Sequence, residues 1–211
     1  MQETMQERSS EKEGLFADLI VVGSGPAGLA AFAAASDQGL QNILCLEWEK
    51  LPGGRLRRKD EEEAGREIFH RAIGSAACLK HFLSLLENYE LSVSCGCELR
   101  ETKFSKADRE HLFSLLVRQD EGEEKHFFCR TLILATGEAS SPEGSTLLPF
   151  PGESPETSSL PAGSSRPLPA GLFLAGEFRR KCPLPDDAAR DGAEAGRRAS
   201  DYLLSDQPKS R

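Results

Sequence analysis

The sequence predicts an α/β fold in three layers: a parallel sheet covered by helices, with a small antiparallel β-meander attached. Three observations carry this expectation. Residues 18–47 run strand, glycine turn, helix, strand; residues 63–89 hold an apolar stripe at helical spacing; and a late apolar run at 171–176 precedes an alanine-rich helix. At 211 residues the chain is long enough to bury a real core as one domain.

Taken in order, residues 1–14 carry mixed charge without apolar periodicity and read as a flexible tail. Residues 18–23 (DLIVVG) are too short for a helix and rich in β-branched residues, so they predict a strand buried on both faces. The alanines of 28–39 favour helix, Gly39 suits its stop, and 43–47 (ILCLE) resumes strand character, which completes a βαβ unit. Ile68, Phe69, Ala72, Ala76, Leu79, Phe82, Leu83 and Leu86 lie on one stripe, predicting a helix over 63–89 with Gly74 as a point of interruption. From Leu91 to Leu134 short apolar runs alternate with charged turns, as in a meander, and the last leads into Ala135-Thr136-Gly137. Residues 138–170 are dominated by Ser, Pro, Gly and Glu and read as a linker. Residues 171–176 return to strand, and 186–204 predict a closing helix with Ala189, Ala193, Gly196, Ala199 and Leu203 on its buried stripe. The expected map is one discontinuous domain, 15–137 plus 171–204, with the linker at 138–170 and tails at 1–14 and 205–211.

A formal charge of -8 and a pI near 5.2 argue against nucleic acid or an anionic membrane as partner, since both would repel the chain. No stretch approaches the roughly 18 apolar residues a membrane span needs, and the first residues are not signal-like, so a soluble cytoplasmic protein is expected. The six cysteines show no disulfide-scaffold spacing, which makes reduced thiols the default.

The chemistry begins at Gly23-Ser24-Gly25-Pro26-Ala27-Gly28, a G-x-G-x-x-G placed between a strand and a helix. Gly23 suits the tight turn, Gly25 lets backbone approach a pyrophosphate, and Gly28 lets helix and strand pack closely. Free amides and the positive end of the helix dipole then hold the phosphates without any lysine. Glu47, at the end of the second strand, stands where a carboxylate accepts hydrogen bonds from ribose hydroxyls and repels a 2′-phosphate. This set predicts a dinucleotide site, and by itself does not separate FAD from NAD.

Further segments resemble a known family. Leu46-Glu47 followed by Pro52-Gly53-Gly54-Arg55-Leu56, then Thr131 to Gly137 (TLILATG), then Gly171 to Glu177 (GLFLAGE) look like the FAD-binding half of the thioredoxin-reductase-like flavoproteins, within the pyridine nucleotide-disulfide oxidoreductase superfamily. The resemblance implies a Rossmann-like domain that binds FAD, with Gly53 and Gly54 along the flavin side, Thr136 and Gly137 ending a strand beside the cofactor, and Gly176 and Glu177 near the ribityl chain. Trp48, Arg55, Cys97 and Ala135 flank these positions and join the same expected site. It also implies a redox partner, small molecule or protein, and a homodimer as one assembly to expect.

Three departures separate the chain from that pattern. The family inserts a nicotinamide-binding domain where this chain has only 138–170, and no second G-x-G-x-x-G exists. The late motif carries Glu177 in place of aspartate, one methylene longer. The redox C-x-x-C is missing, so disulfide reductase activity is not inherited. Gly53-Gly54-Arg55 and Leu172 to Glu177 are also similar to amine-oxidase-like flavoproteins, whose large substrate domain a chain of this length cannot hold.

No catalytic residue is assigned beyond one candidate, Cys182, which follows Arg179-Arg180-Lys181. Those cations should favour the thiolate; the competing reading is an exposed loop cysteine. Cys95-Gly96-Cys97 reads either as a redox pair or as packing, lying on one predicted strand where residues two apart share a face. Arg55, Arg57, Arg58 and Lys59 read as neutralising a phosphate or an acidic partner, or as a solvated turn beside the acids at 60–63. The four histidines lack metal-ligand spacing, so no metal is expected. Two functions follow: an FAD-dependent oxidoreductase fed by an external reductant or partner subunit, or a non-catalytic FAD or NAD binding module.

Overall fold

The computed structural model describes residues 14–105, 112–120, 122–137 and 168–205. In chain order these form β1 (Gly14–Val22), α1 (Pro26–Asp37), β2 (Ile43–Leu46), α2 (Arg55–Arg58), α3 (Ser75–Asn88), β3 (Val93–Ser94), β4 (Cys97–Phe104), β5 (Phe113–Gln119), β6 (Glu124–Leu134), β7 (Leu172–Leu174), a 3-10 turn (Gly176–Phe178) and α4 (Pro185–Ser205). The seven strands make one sheet in the order β3-β2-β1-β6-β5-β4, with β7 beside β6. Pairs β1/β2, β2/β3, β1/β6 and β6/β7 are parallel, while β4/β5 and β5/β6 are antiparallel.

The meander is not a separate sheet. The eleven residues of β6 serve both halves: its first half pairs with β5, and Leu132 to Leu134 pair with Leu172 to Leu174 of β7. The side-chain alternation of a strand then sorts β1 between two cores. Leu19 and Val21 pack with α1, α3 and α4 on one face. Ile20 and Val22 face the other way, where Leu99, Leu115 and Val117 of the meander cover them. Helices, sheet and meander are thus the three layers of a Rossmann-like domain.

α4 lies directly on α1. A Cβ at Gly192 or Gly196 would run into the carbonyl oxygens of Ala27 and Ala31, so both positions must lack a side chain for the two backbones to approach this closely. The sequence stripe contained Gly196 and missed Gly192.

Three expectations change. The helix expected over 63–89 starts only at Ser75, because Gly74 has φ +78° and ends the preceding turns; Ile68 and Phe69 still pack on the core from that turn segment. Strand β1 begins at Gly14, and its first residues pair with β6 alone, which leaves Leu15 and Phe16 exposed; burial on both faces holds from Leu19. Cys95 and Cys97 do not share a strand, since β3 ends at Ser94 and Gly96, at φ +69°, turns the chain into β4. Residues 138–167 of the expected linker, with 1–13 and 206–211 of the tails, lie outside the described residues. Among the described residues no helix is long and apolar enough to cross a membrane.

Candidate functional site

The parallel strands β1, β2 and β6 all end at one edge of the sheet, where their C-terminal ends open onto a crevice. A cavity of about 340 Å³ occupies it. Its wall takes Gly23, Gly25, Pro26 and Ala27 from the first turn, Glu47, Trp48 and Glu49 after β2, and Gly54 and Arg55 at α2. Cys97 opens β4 on the same wall, Ala135, Thr136 and Gly137 follow β6, and Glu177 lies in the 3-10 turn. Ser24, Gly28, Gly53 and Gly176 stand behind that wall rather than on it. Segments more than a hundred residues apart in sequence therefore meet around one space.

The glycine turn shows how the division of labour works. At Gly25 the backbone is extended (φ -68°, ψ -174°), and a Cβ there would meet nothing within 4 Å, because it would point into the cavity. At Gly28 a Cβ would strike the Gly23 carbonyl, so that glycine serves packing. Among the described residues the amides of Gly25, Ala27 and Gly28 have no protein acceptor, as expected for the first turn of a helix. Three donors, the positive end of the twelve-residue α1 and a bare glycine thus form a cradle for an anion.

Glu47 is more constrained than the sequence reading anticipated. It is buried; its Oε2 accepts the Ser24 amide (2.7 Å) and the Ser24 hydroxyl (2.5 Å), and its Oε1 accepts the Glu49 amide (2.9 Å). A carboxylate has about four acceptor positions, so one remains for a ligand hydroxyl. These bonds fix Glu47 against the glycine turn, which pre-orients it.

The second glycine pair reaches the turn through backbone. The Gly53 amide donates to Ser24 O (3.0 Å), and a Cβ on Gly54 would lie 3.1 Å from Gly25 Cα. Arg55 then ties this loop to the late motif. Its Nη1 bridges to Glu177 Oε1 (3.0 Å) and donates to the Cys182 carbonyl (2.8 Å), its Nη2 donates to the Pro183 carbonyl, and its Nε pairs with Glu61 Oε1 (2.7 Å). Burial works against the guanidinium charge, but Glu61 and then Glu177 outweigh it and raise its pKa. With Oε1 held, Glu177 Oε2 stays over Gly137, 3.9 Å from where a Cβ would stand.

Two site residues that sequence reasoning missed support this arrangement from behind. Asp191, fully buried on α4, accepts the Gly176 amide (2.8 Å) and pairs with Arg179 (2.7 Å) and Arg180 (3.0 Å). Asp186 accepts the amides of Gly65 and Glu67, each at 2.7 Å. An acid on an alanine-rich helix reads as solvated face, and only the tertiary fold turns these two inward.

The pyridine nucleotide-disulphide oxidoreductase family profile matches residues 17–163. This chain belongs to that family. Its fold matches two solved structures along most of both chains. A ferredoxin-flavin thioredoxin reductase from Clostridium acetobutylicum is 13% identical with a TM-score of 0.64, covering 90% of this chain and 98% of that one. The atypical thioredoxin reductase TRi from Desulfovibrio vulgaris Hildenborough is 14% identical with a TM-score of 0.63, covering 91% and 99%. A polycyclic ketone monooxygenase from Thermothelomyces thermophila, 18% identical at a TM-score of 0.52, is spanned only over 24% of its length. No curated protein matches the sequence. At these identities the structures establish the fold, and the family match agrees with the resemblance read from the motifs.

Cys182 lies neither in an exposed loop nor in surroundings that favour its thiolate. The residue is buried, and burial first, then Asp191, Glu177 and Asp187, push its thiol pKa up; Arg180 alone opposes them. Arg179 and Arg180 both pair with Asp191. Native protein treated with iodoacetamide at neutral pH should therefore carry label at half-buried Cys95 before Cys182, by peptide mass spectrometry. Rapid alkylation of Cys182 in the folded state would contradict this placement. Cys97, on the wall, also has its pKa raised, chiefly by burial.

Proposed function

We propose that the chain is an FAD-binding flavoprotein oxidoreductase that receives electrons from an external reductant or a protein partner. The observation that carries this reading is the single cavity at which the glycine cradle, Glu47, Gly54 and Glu177 converge. Bound FAD would supply hydride or single-electron chemistry, and the protein supplies binding, orientation and electrostatics. In this reading the α1 amides hold the diphosphate and Glu47 accepts from the adenosine ribose. Gly53 and Gly54 bring a side-chain-free loop alongside, and Glu177, fixed by Arg55, faces the ribityl hydroxyls. The chain's 138–170 segment stands where a nicotinamide domain would be inserted, which supports a donor other than a nicotinamide docked in cis. Soluble cytoplasmic action and a homodimer belong to the same proposal.

A second reading, a non-catalytic FAD or NAD module, is favoured by one observation: Cys97 and Cys182, the thiols on or behind the wall, are both buried. One experiment separates them. The purified chain should be yellow, releasing stoichiometric FAD on heating, and should be bleached anaerobically by a nicotinamide or by reduced ferredoxin. Bleaching by dithionite alone would point to a dedicated protein partner, and a bound flavin that dithionite leaves oxidised would favour the module. Colourless protein that refuses added FAD would overturn both FAD readings.

A further inference from the structure

Charge on the cavity wall is unevenly committed. Arg55 is taken by Glu61 and Glu177, and Glu98 by Arg100 and Arg118. Among the described residues Arg58 is held only by one long ion pair, to Glu49, and Lys59 remains. Arg58 Nη1 stands 3.7 Å from Glu49 Oε1, beyond hydrogen-bond length, and Lys59 has no acidic partner among the described residues. The position of Arg58 is specific. A Cβ on Gly54 would lie 3.1 Å from Gly25 Cα and 3.8 Å from Arg58 Nη2, so the guanidinium overhangs the meeting point of the two glycine segments. Arg57, its neighbour on α2, lies along Gly53 and is absent from the wall.

The electrostatic need is quantitative. A helix N-terminus offers about half an elementary charge. A dinucleotide diphosphate brings two negative charges into a cavity that Glu47, Glu49, Glu98 and Glu177 also line, on a chain of formal charge -8. Helix α1 alone leaves most of that charge unmet. A guanidinium presents a planar fork of donors matched to phosphate oxygens.

We propose that Arg58 is a phosphate clamp: it closes on the diphosphate from α2 while the α1 amides hold it from below, and so sets the affinity for diphosphate-bearing nucleotides. The inference rests on the dinucleotide reading above and adds a side chain to it. Titration calorimetry of FAD and of ADP at low and high salt, on wild type, Arg58→Gln, Arg58→Lys and Arg57→Gln, tests it. Arg58→Gln should weaken both ligands roughly ten-fold or more, the scale of one charge-assisted hydrogen bond, and flatten the salt dependence. Arg58→Lys, which keeps the charge and loses the fork, should fall between wild type and Arg58→Gln. Arg57→Gln makes the same change in net charge away from the wall and should cost less than about two-fold. Equal weakening by Arg58→Gln and Arg57→Gln, or an unchanged Arg58→Gln beside a wild type that binds FAD, would overturn the clamp alone. A wild type that takes up neither ligand would overturn the flavoprotein reading and the clamp with it.

Discussion

Gly25→Val should give a folded protein that takes up no FAD. The backbone at Gly25 is in a region any residue adopts, and a Cβ there meets open space, so the apo fold has no reason to object. The added isopropyl group, however, stands in the cradle between the unpaired α1 amides and the Gly54 loop, where the proposed function puts the diphosphate. Loss of every charge-assisted bond in that cradle exceeds about 4 kcal/mol, or about a thousand-fold in affinity. Gly28→Ala is the contrasting variant: a Cβ there collides with the Gly23 carbonyl, and backbone cannot yield as a flexible side chain can, so it should lose fold and binding together. Circular dichroism with flavin absorbance on the same preparations reads both quantities. A yellow Gly25→Val protein would place the diphosphate elsewhere.

These two glycines also show how far the sequence is legible. Strand, glycine turn, alanine-rich helix, second strand and Glu47 have local signatures, because φ/ψ demands and periodicity act within a few residues. The fold class and the first βαβ unit were therefore readable. What escaped was set by contacts distant in sequence. Nothing local shows that Asp191 turns inward to receive the Gly176 amide, that Arg179 and Arg180 pair with it, or that Cys182 is buried beside them. The basic run 55–59 looked uniform, yet tertiary placement gives each member a different partner: Glu61 and Glu177 for Arg55, Gly53 for Arg57, the cavity for Arg58. The 63–89 stripe was correctly apolar, but Gly74 divides it, since a periodic pattern does not report backbone handedness.

Gly192→Val should be the most destabilising of these substitutions, by more than about 4 kcal/mol. Its Cβ would occupy the space of the Ala27 carbonyl, so relief requires moving α4 away from α1 along their whole contact rather than turning one rotamer. Poor helix propensity of valine contributes less than about 0.7 kcal/mol. Glu194→Val, exposed on the same helix, carries that smaller cost alone and serves as the control. The effect reaches the site because α4 holds it from behind: Asp191, next to Gly192, anchors the Gly176 amide, and Ala27 lies in the first turn of α1 that forms the cradle. Ligand cannot rescue the variant, since FAD at a hundred times its Kd adds only about 2.7 kcal/mol. Urea unfolding with and without FAD measures both terms, and a Gly192→Val midpoint matching that of Glu194→Val would show that the two helices do not pack backbone to backbone.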